Sequence, residues 1–207
     1  MAIDYKKELE NAARSMILVH EPDTLIKMIV RRIVQKVKVR HAGILLHHKD
    51  KDTYILTISR GTTGLKIPAG FARMDVDNPL ISLFRQRLDR KLFNNGAIVY
   101  EKAKRLLSKN IEPDVKQLLR GVIYQMEMFE AFVCIPSYFR NDLLGILLLG
   151  SKNKGKRFGQ DELDFFVAIT SDVAMAVRNA QLFKELEFEL ERKQKLFINT
   201  TLALVAA

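Results

Sequence analysis

The side chains best suited to chemistry in this sequence are four histidines, one cysteine and a small group of acids. The histidines are His20, His41, His47 and His48, and none belongs to a His-x-x-x-His or His-Asp pair. His47 and His48 are adjacent at the end of a predicted strand, so their side chains face opposite sides and cannot readily share a metal. The sequence contains no GxSxG, P-loop or GxGxxG pattern. These patterns indicate neither a catalytic site nor a metal site.

The cysteine and the acids have structural interpretations. Cys134 is the only cysteine, which excludes an intramolecular disulfide and a multi-cysteine metal site. It lies in the apolar run FVCIP, which predicts a buried side chain instead of a reactive thiol. Asp161, Glu162 and Asp164 stand at a predicted helix start, where carboxylates complement the helix dipole.

Hydrophobic periodicity predicts an α+β fold. Two hairpins of β-rich runs, at 41–61 and 131–151, give an antiparallel sheet. Terminal helices are expected on one face of this sheet, and an irregular helix and loop region on the other. Six helices are predicted. The second is capped by Glu21 or by Asp23, tolerates Pro22 in its first turn and runs through 24–37, and the third, 80–88, follows an Asn78 cap and Pro79. The others are Ile3–Val19, 101–110, 112–129, and one uninterrupted helix from Asp161.

Composition and charge limit the function classes. The 207 residues carry a net charge of +10. Residues 85–120 hold ten basic against four acidic residues, a balance of +6. This segment leaves open a nucleic-acid-binding regulator, an anion site and a solvated surface, although no aromatic interleaving or recognition motif supports nucleic acid. The N-terminus lacks a signal-peptide core, and the longest apolar run, 143–149, is too short to span a membrane, so a cytoplasmic location is predicted.

The C-terminal half resembles a GAF domain, a small-molecule sensor module. The resemblance covers roughly Asp23 to Phe183 and includes the hairpin AFVCIPSYFRNDLLGILLLG and the helix DFFVAITSDVAMAVRNAQLF. Between them stands a set similar to the five-residue signature of cyclic-nucleotide-binding GAF domains, with two residues between its Phe and its Asp where the family has three. The set is Asn153, Lys154, Phe158, Asp161 and Glu162.

The resemblance implies a structural role for the signature, through a Lys–Asp pair, and a ligand pocket between the sheet and the middle helices. The ligand is unidentified, and no cofactor is assigned. A basic pocket would suit a phosphate or carboxylate, and a collapsed, purely structural pocket is an equal alternative. The candidate ligand-binding residues are Phe71, Arg73, Asp75, Met126 and Met128.

The apolar pattern of the last predicted helix indicates a dimer. Apolar residues recur along it at three-to-four spacing, and Phe183, Leu186 and Leu190 are expected to pair with the N-terminal helix and its copy in a second subunit, which gives a homodimer through the terminal helices. The final run FINTTLALVAA resembles the opening helix of an HD or HD-GYP phosphohydrolase domain. The expected organisation is an N-terminal helix at 1–20, a GAF-like sensor at 21–183, and a signalling helix with the start of an output domain at 184–207.

Three functions follow from these patterns. The leading one is a regulatory sensing and dimerisation module that passes state changes to an output domain and is not itself an enzyme. The alternative is the nucleic-acid-binding regulator. A free-standing methionine-sulfoxide-type enzyme would need reactive cysteines, and Cys134 on a strand argues against it.

Overall fold

The computed structural model describes residues 7, 10, 22–48, 51–61, 67–68, 70–93 and 96–205. The predicted N-terminal helix lies outside the described residues, except for Lys7 and Glu10, which are helical. The helices are α1 (Pro22–Val37), α2 (Pro79–Arg85), α3 (Leu88–Leu92), α4 (Tyr100–Leu107), α5 (Pro113–Met128) and α6 (Gln160–Val205). The strands are β1 (His41–His48), β2 (Thr53–Gly61), β3 (Arg73–Asp75), β4 (Ile98–Val99), β5 (Val133–Phe139) and β6 (Asp142–Leu149).

The strands form one six-stranded sheet in the order β3-β2-β1-β6-β5-β4. Every pairing between these neighbours is antiparallel. Both predicted hairpins are present, and β1 pairs with β6 to join them at the centre of the sheet. The predicted α+β class with an antiparallel sheet is confirmed.

Alternation along the central strands divides the interior into two cores. On β1, Ala42, Ile44 and Leu46 face one side and pack against α1 and the first half of α6. Leu45 faces the other side and joins a core with α2 and α5. The terminal helices therefore cover one face of the sheet, and the irregular middle covers the other.

The middle segment departs from its prediction in two places. Asn78 caps α2 as expected, because its side-chain oxygen accepts the Leu80 N–H at 3.0 Å and Pro79 takes the first helical position. The helix predicted over 80–88 instead breaks at Arg87, which has a left-handed φ of 57°. The loop predicted over 61–79 contains β3, a three-residue edge strand that pairs with β2.

Gly145 permits the close approach of β1 and β6. A Cβ at this position would lie 2.5 Å from the carbonyl oxygen of Leu45, closer than two such atoms can approach. The sheet centre, against which α6 packs, therefore requires a residue without a side chain here.

Candidate functional site

The sheet face predicted to hold a ligand is filled by large side chains. Tyr54, Phe84 and Met126 are all buried there, on β2, α2 and α5 respectively. The Tyr54 hydroxyl donates to the Leu143 carbonyl at 3.0 Å, and burial raises the pKa of Tyr54 to about 12. Around Tyr54 this face of the sheet is therefore a packed core, in which the Tyr54 hydroxyl has a hydrogen-bond partner.

The five predicted ligand-binding residues have different environments. Phe71 is 82% exposed, and Arg73 and Asp75 are exposed on the edge strand β3. Met126 is buried in the core, whereas Met128 is 58% exposed. Two positions on a helix differ by about 200°, so these methionines face nearly opposite directions. A role for the five residues in ligand binding stays a prediction.

A buried polar cluster joins α3 to the β5–β6 hairpin, and sequence reasoning did not single it out. Asp89 is fully buried, and its Oδ1 lies 3.3 Å from the Tyr138 hydroxyl. The Arg87 guanidinium stacks 3.4 Å from the centre of the Tyr138 ring and donates to the Arg140 carbonyl at 3.1 Å. The Tyr138 hydroxyl also lies 2.9 Å from the Phe84 carbonyl, its nearest acceptor. These contacts hold Arg87 in its left-handed conformation.

Burial and its neighbours act in opposite directions on the pKa of the Asp89 carboxyl. Burial raises the pKa of Asp89 above its ordinary value, against the lowering effects of Tyr138 and Arg87. Asp89 Oδ2 and Arg87 Nη1 are both buried and have no hydrogen-bond partner among the described residues. The only sequence signal for this site is an acid within a strongly basic segment.

The residues with potential for catalysis lie apart. Cys134 is completely buried, and burial raises the pKa of its thiol, so it does not supply a thiolate nucleophile. His47 bonds to Asp52 at 2.9 Å and stacks on Tyr54, whereas His48 is exposed. The buried His41 bonds through Nε2 to the Phe129 carbonyl at 3.0 Å, and His20 lies outside the described residues. Within the described ranges, no group of three or more His, Cys, Asp and Glu residues is placed to hold a metal.

The signature residues surround the start of α6. Asn153 opens a 3-10 turn and is exposed, as is Asp161 in the first turn of α6. The side chain of Lys154 lies outside the described part. Phe158 packs between the rings of Phe132 and Phe166, at centroid distances of 6.3 and 6.2 Å. The cluster thus attaches the turn before α6 to the core beneath it.

An ion pair fixes this helix start. Lys152 Nζ lies 2.6 Å from Glu162 Oε1, and only 14% and 11% of the two side chains are exposed. Glu162 Oε2 also accepts the Gly159 N–H at 2.8 Å, which is the glutamate half of a capping box. Glu162 belongs to the predicted signature, but its described lysine partner is Lys152, two residues before Lys154.

Beyond Val177, α6 leaves the core. Val177 is the last buried residue of the helix among those described, and the helix continues to Val205. This extension spans about 42 Å at 1.5 Å per residue. Large apolar residues stand exposed along it, and Phe183, Leu190 and Phe197 are 68%, 53% and 73% exposed. Among the described helices, none has the length and apolar character needed to cross a membrane.

The family model of the GAF domain matches residues 21–177, more than half of the chain. The chain belongs to the GAF domain family. GAF domains are small-molecule sensing and signalling modules in bacterial proteins, and the domain itself is sensory instead of catalytic. The structure also resembles solved GAF domains, although no curated protein matches the sequence.

Three solved structures illustrate the structural likeness. The GAF domain of a phosphoenolpyruvate-protein phosphotransferase from Coxiella burnetii is 17% identical with a TM-score of 0.62, and the match covers 88% of this chain and 97% of that one. A free methionine-R-sulfoxide reductase from Neisseria meningitidis, in complex with its substrate, is 9% identical with a TM-score of 0.56, covering 88% and 95%. A GAF domain/HD domain protein from Geobacter sulfurreducens is 17% identical with a TM-score of 0.50, covering 79% and 96%. At these identities the likeness establishes the fold alone.

Proposed function

We propose that this GAF domain is the regulatory region of a signalling protein and that the distal half of α6 pairs with its copy in a second subunit. Changes of state in the sensor core would then pass along α6 to an output domain. The exposed apolar residues beyond Val177 are the observation that carries the proposal. An exposed apolar helix surface of this kind is stable in water only when another protein surface covers it.

The spacing of these residues supports a coiled coil. Phe183, Leu190 and Phe197 recur every seven residues, and Leu186 follows Phe183 by three, which places them at a and d positions. Lys193 takes the next d position and weakens the seam. A weak helix contact of this kind suits a signalling helix, because small changes in the sensor core can shift the equilibrium between paired and unpaired helices.

The first half of α6 is built into the sensor core. Phe166, Ile169 and Val173 are buried against the sheet. The Ser137 hydroxyl on β5 donates to the Thr170 carbonyl at 3.0 Å. A shift of the sheet would therefore move the helix as a rigid element, and the distal half would move with it.

The proposed output domain is of the HD phosphohydrolase type. Its support is the resemblance of residues 197–207 to the opening helix of such domains, together with the Geobacter protein that combines GAF and HD domains. The reading frame of the gene tests this part, because an HD domain requires a His-Asp metal motif, and residues 1–207 contain none. The proposed cytoplasmic location follows from the same signalling role. Neither the family match nor the three structures support the nucleic-acid alternative.

Cysteine cross-linking tests the helix pairing. In a parallel coiled coil, an a position meets its own copy, so Leu190→Cys is expected to form a disulfide-linked dimer under mild oxidation. Phe188→Cys is the matched control, because Phe188 is also exposed, at 67% against 53% for Leu190, but lies on the opposite side of the helix. Cys134 is buried and gives no background. Equal cross-linking of the two variants, or none at position 190, would contradict the proposal.

A further inference from the structure

A cleft of about 360 Å³ lies beside the edge strand β4, where the two cores meet: Phe93 belongs to the core with α2 and α5, and Leu163 to the core with α1 and α6. Its apolar floor includes Phe93, Ala97 and Leu163, all of which are buried. Its rim carries three basic residues, Lys102, Arg105 and Lys109. The spacing of three and four residues places them along one side of α4 and the turn that follows it.

The positive charge at this rim is greater than the negative charge of the acidic side chain that pairs with it. Arg105 Nη2 lies 3.7 Å from Glu101 Oε2, and the same oxygen is approached by Arg157 Nε at 3.5 Å, so two guanidinium groups share one carboxylate. Lys102 and Lys109 are exposed and have no ion pair within the described ranges. Lys104, by contrast, bonds to the Tyr100 hydroxyl at 3.1 Å. The rim can therefore accept an anion without first breaking a described lysine ion pair.

We propose that this cleft binds a small amphipathic anion, an apolar body that carries a phosphate or carboxylate group. The two lysines would hold the charged group by charge-assisted hydrogen bonds, and the apolar floor would cover the body. The volume falls in the lower part of the range usual for small-molecule sites. Neither the floor residues nor the basic rim belongs to the set predicted from the sequence for ligand binding.

The position of the cleft connects it to the proposed signalling helix. Leu163 on the floor stands in the first turn of α6, one residue after Glu162. A bound molecule would thus touch the helix directly where the ion pair fixes it. This assignment as an input site rests on the proposed sensing function, whereas binding to the cleft does not.

Isothermal titration calorimetry with four probes tests the proposal. We expect 1-naphthyl phosphate, 1-naphthoate or both to bind, and the comparison of the two identifies the preferred anion. The neutral 1-naphthol and inorganic phosphate, which each lack one half of the proposed ligand, are expected to bind at least about tenfold more weakly.

Variants locate the binding site. Lys102→Ala combined with Lys109→Ala is expected to raise the Kd of the bound naphthyl anion about tenfold or more. Lys104→Ala is the control on the same helix, and its Kd should stay within about twofold of the original. Leu186→Glu combined with Leu190→Glu should also leave the Kd unchanged, which excludes binding to the exposed surface of α6.

Three results would overturn the inference. These are the absence of binding by both naphthyl anions, equal binding by the double lysine variant, and inorganic phosphate binding as tightly as naphthyl phosphate. None of them bears on the pairing of α6, because cross-linking at position 190 measures that contact independently. Failure of the cleft and failure of the proposed dimer are therefore distinguishable.

Discussion

Removal of the Lys152–Glu162 ion pair should detach the start of α6 from the sheet. The 2.6 Å contact is mostly shielded from water, with 14% and 11% of the side chains exposed. Breaking one partner of a fully buried pair costs about 3–5 kcal/mol, and exposed pairs contribute about 1 kcal/mol or less. This partly buried pair belongs between the two limits, so we expect a coupling energy of about 2 kcal/mol.

Two substitutions separate the ion pair from the helix cap. Glu162→Gln keeps an oxygen for the Gly159 N–H but removes the charge, and should cost about 2 kcal/mol. Glu162→Ala removes both interactions and should cost about 3 kcal/mol, because the loss of a cap adds about 1 kcal/mol. Lys152→Met removes the ammonium group and retains the apolar stem. Combined with Glu162→Gln, it completes a double-mutant cycle.

Urea unfolding followed by circular dichroism supplies the free energies, since the sequence contains no tryptophan for fluorescence. The exposed pair Arg192–Glu189 provides the control cycle, in which both side chains are more than half exposed. Its coupling energy should be about 0.5 kcal/mol or less. A coupling energy equally small for Lys152 and Glu162 would refute the reasoning that this pair anchors the helix.

Three further predictions concern buried groups. Burial raises the pKa of Asp89. The stability that the protonated Asp89 provides is therefore present at acid pH and is lost as the pH rises through the folded-state pKa. The difference in Tm between Asp89→Asn and the wild type, in favour of the variant, should grow from about pH 4 to pH 7. Burial lowers the pKa of His41, so wild-type stability should fall relative to His41→Gln below about pH 6.5, and parallel melting curves would contradict this. Gly145→Ala should cost about 1–3 kcal/mol in urea unfolding, because the new methyl group meets the Leu45 carbonyl, and unchanged stability would show that the strands can separate there.

The sheet and its caps were predictable because their signals are local. Continuous apolar runs mark β1, β5 and β6, alternating residues mark β2, and short polar turns make each hairpin antiparallel. Asn78 before Pro79 predicts the cap of α2 from neighbouring residues alone. In each case, the residues that decide the structure stand next to one another in the chain.

The features that sequence reasoning missed depend on distant contacts. Arg87 breaks the helix because it stacks on Tyr138 and donates to the Arg140 carbonyl, 53 residues away. Strand β3 has only Met74 buried and pairs at a sheet edge, so it carries no periodic pattern. Local periodicity contains no information about either contact.

In the candidate site, too, some features follow from neighbouring residues and others from distant contacts. Helical spacing alone would have separated Met126 from Met128, which lie about 200° apart on α5. The selection of Lys152 as the partner of Glu162, by contrast, depends on where the strand end meets the helix start. The basic cleft required the fold, because the 85–120 charge excess does not specify which lysines border an apolar floor.

Sedimentation equilibrium of the whole chain and two variants measures the central claim most directly. The wild-type chain is expected to sediment at twice its mass of 23.8 kDa, and Leu186→Glu combined with Leu190→Glu should sediment as a monomer. Phe188→Glu, on the opposite side of α6, should remain a dimer. A monomeric wild-type chain, or a double variant that stays dimeric, would contradict the pairing of α6.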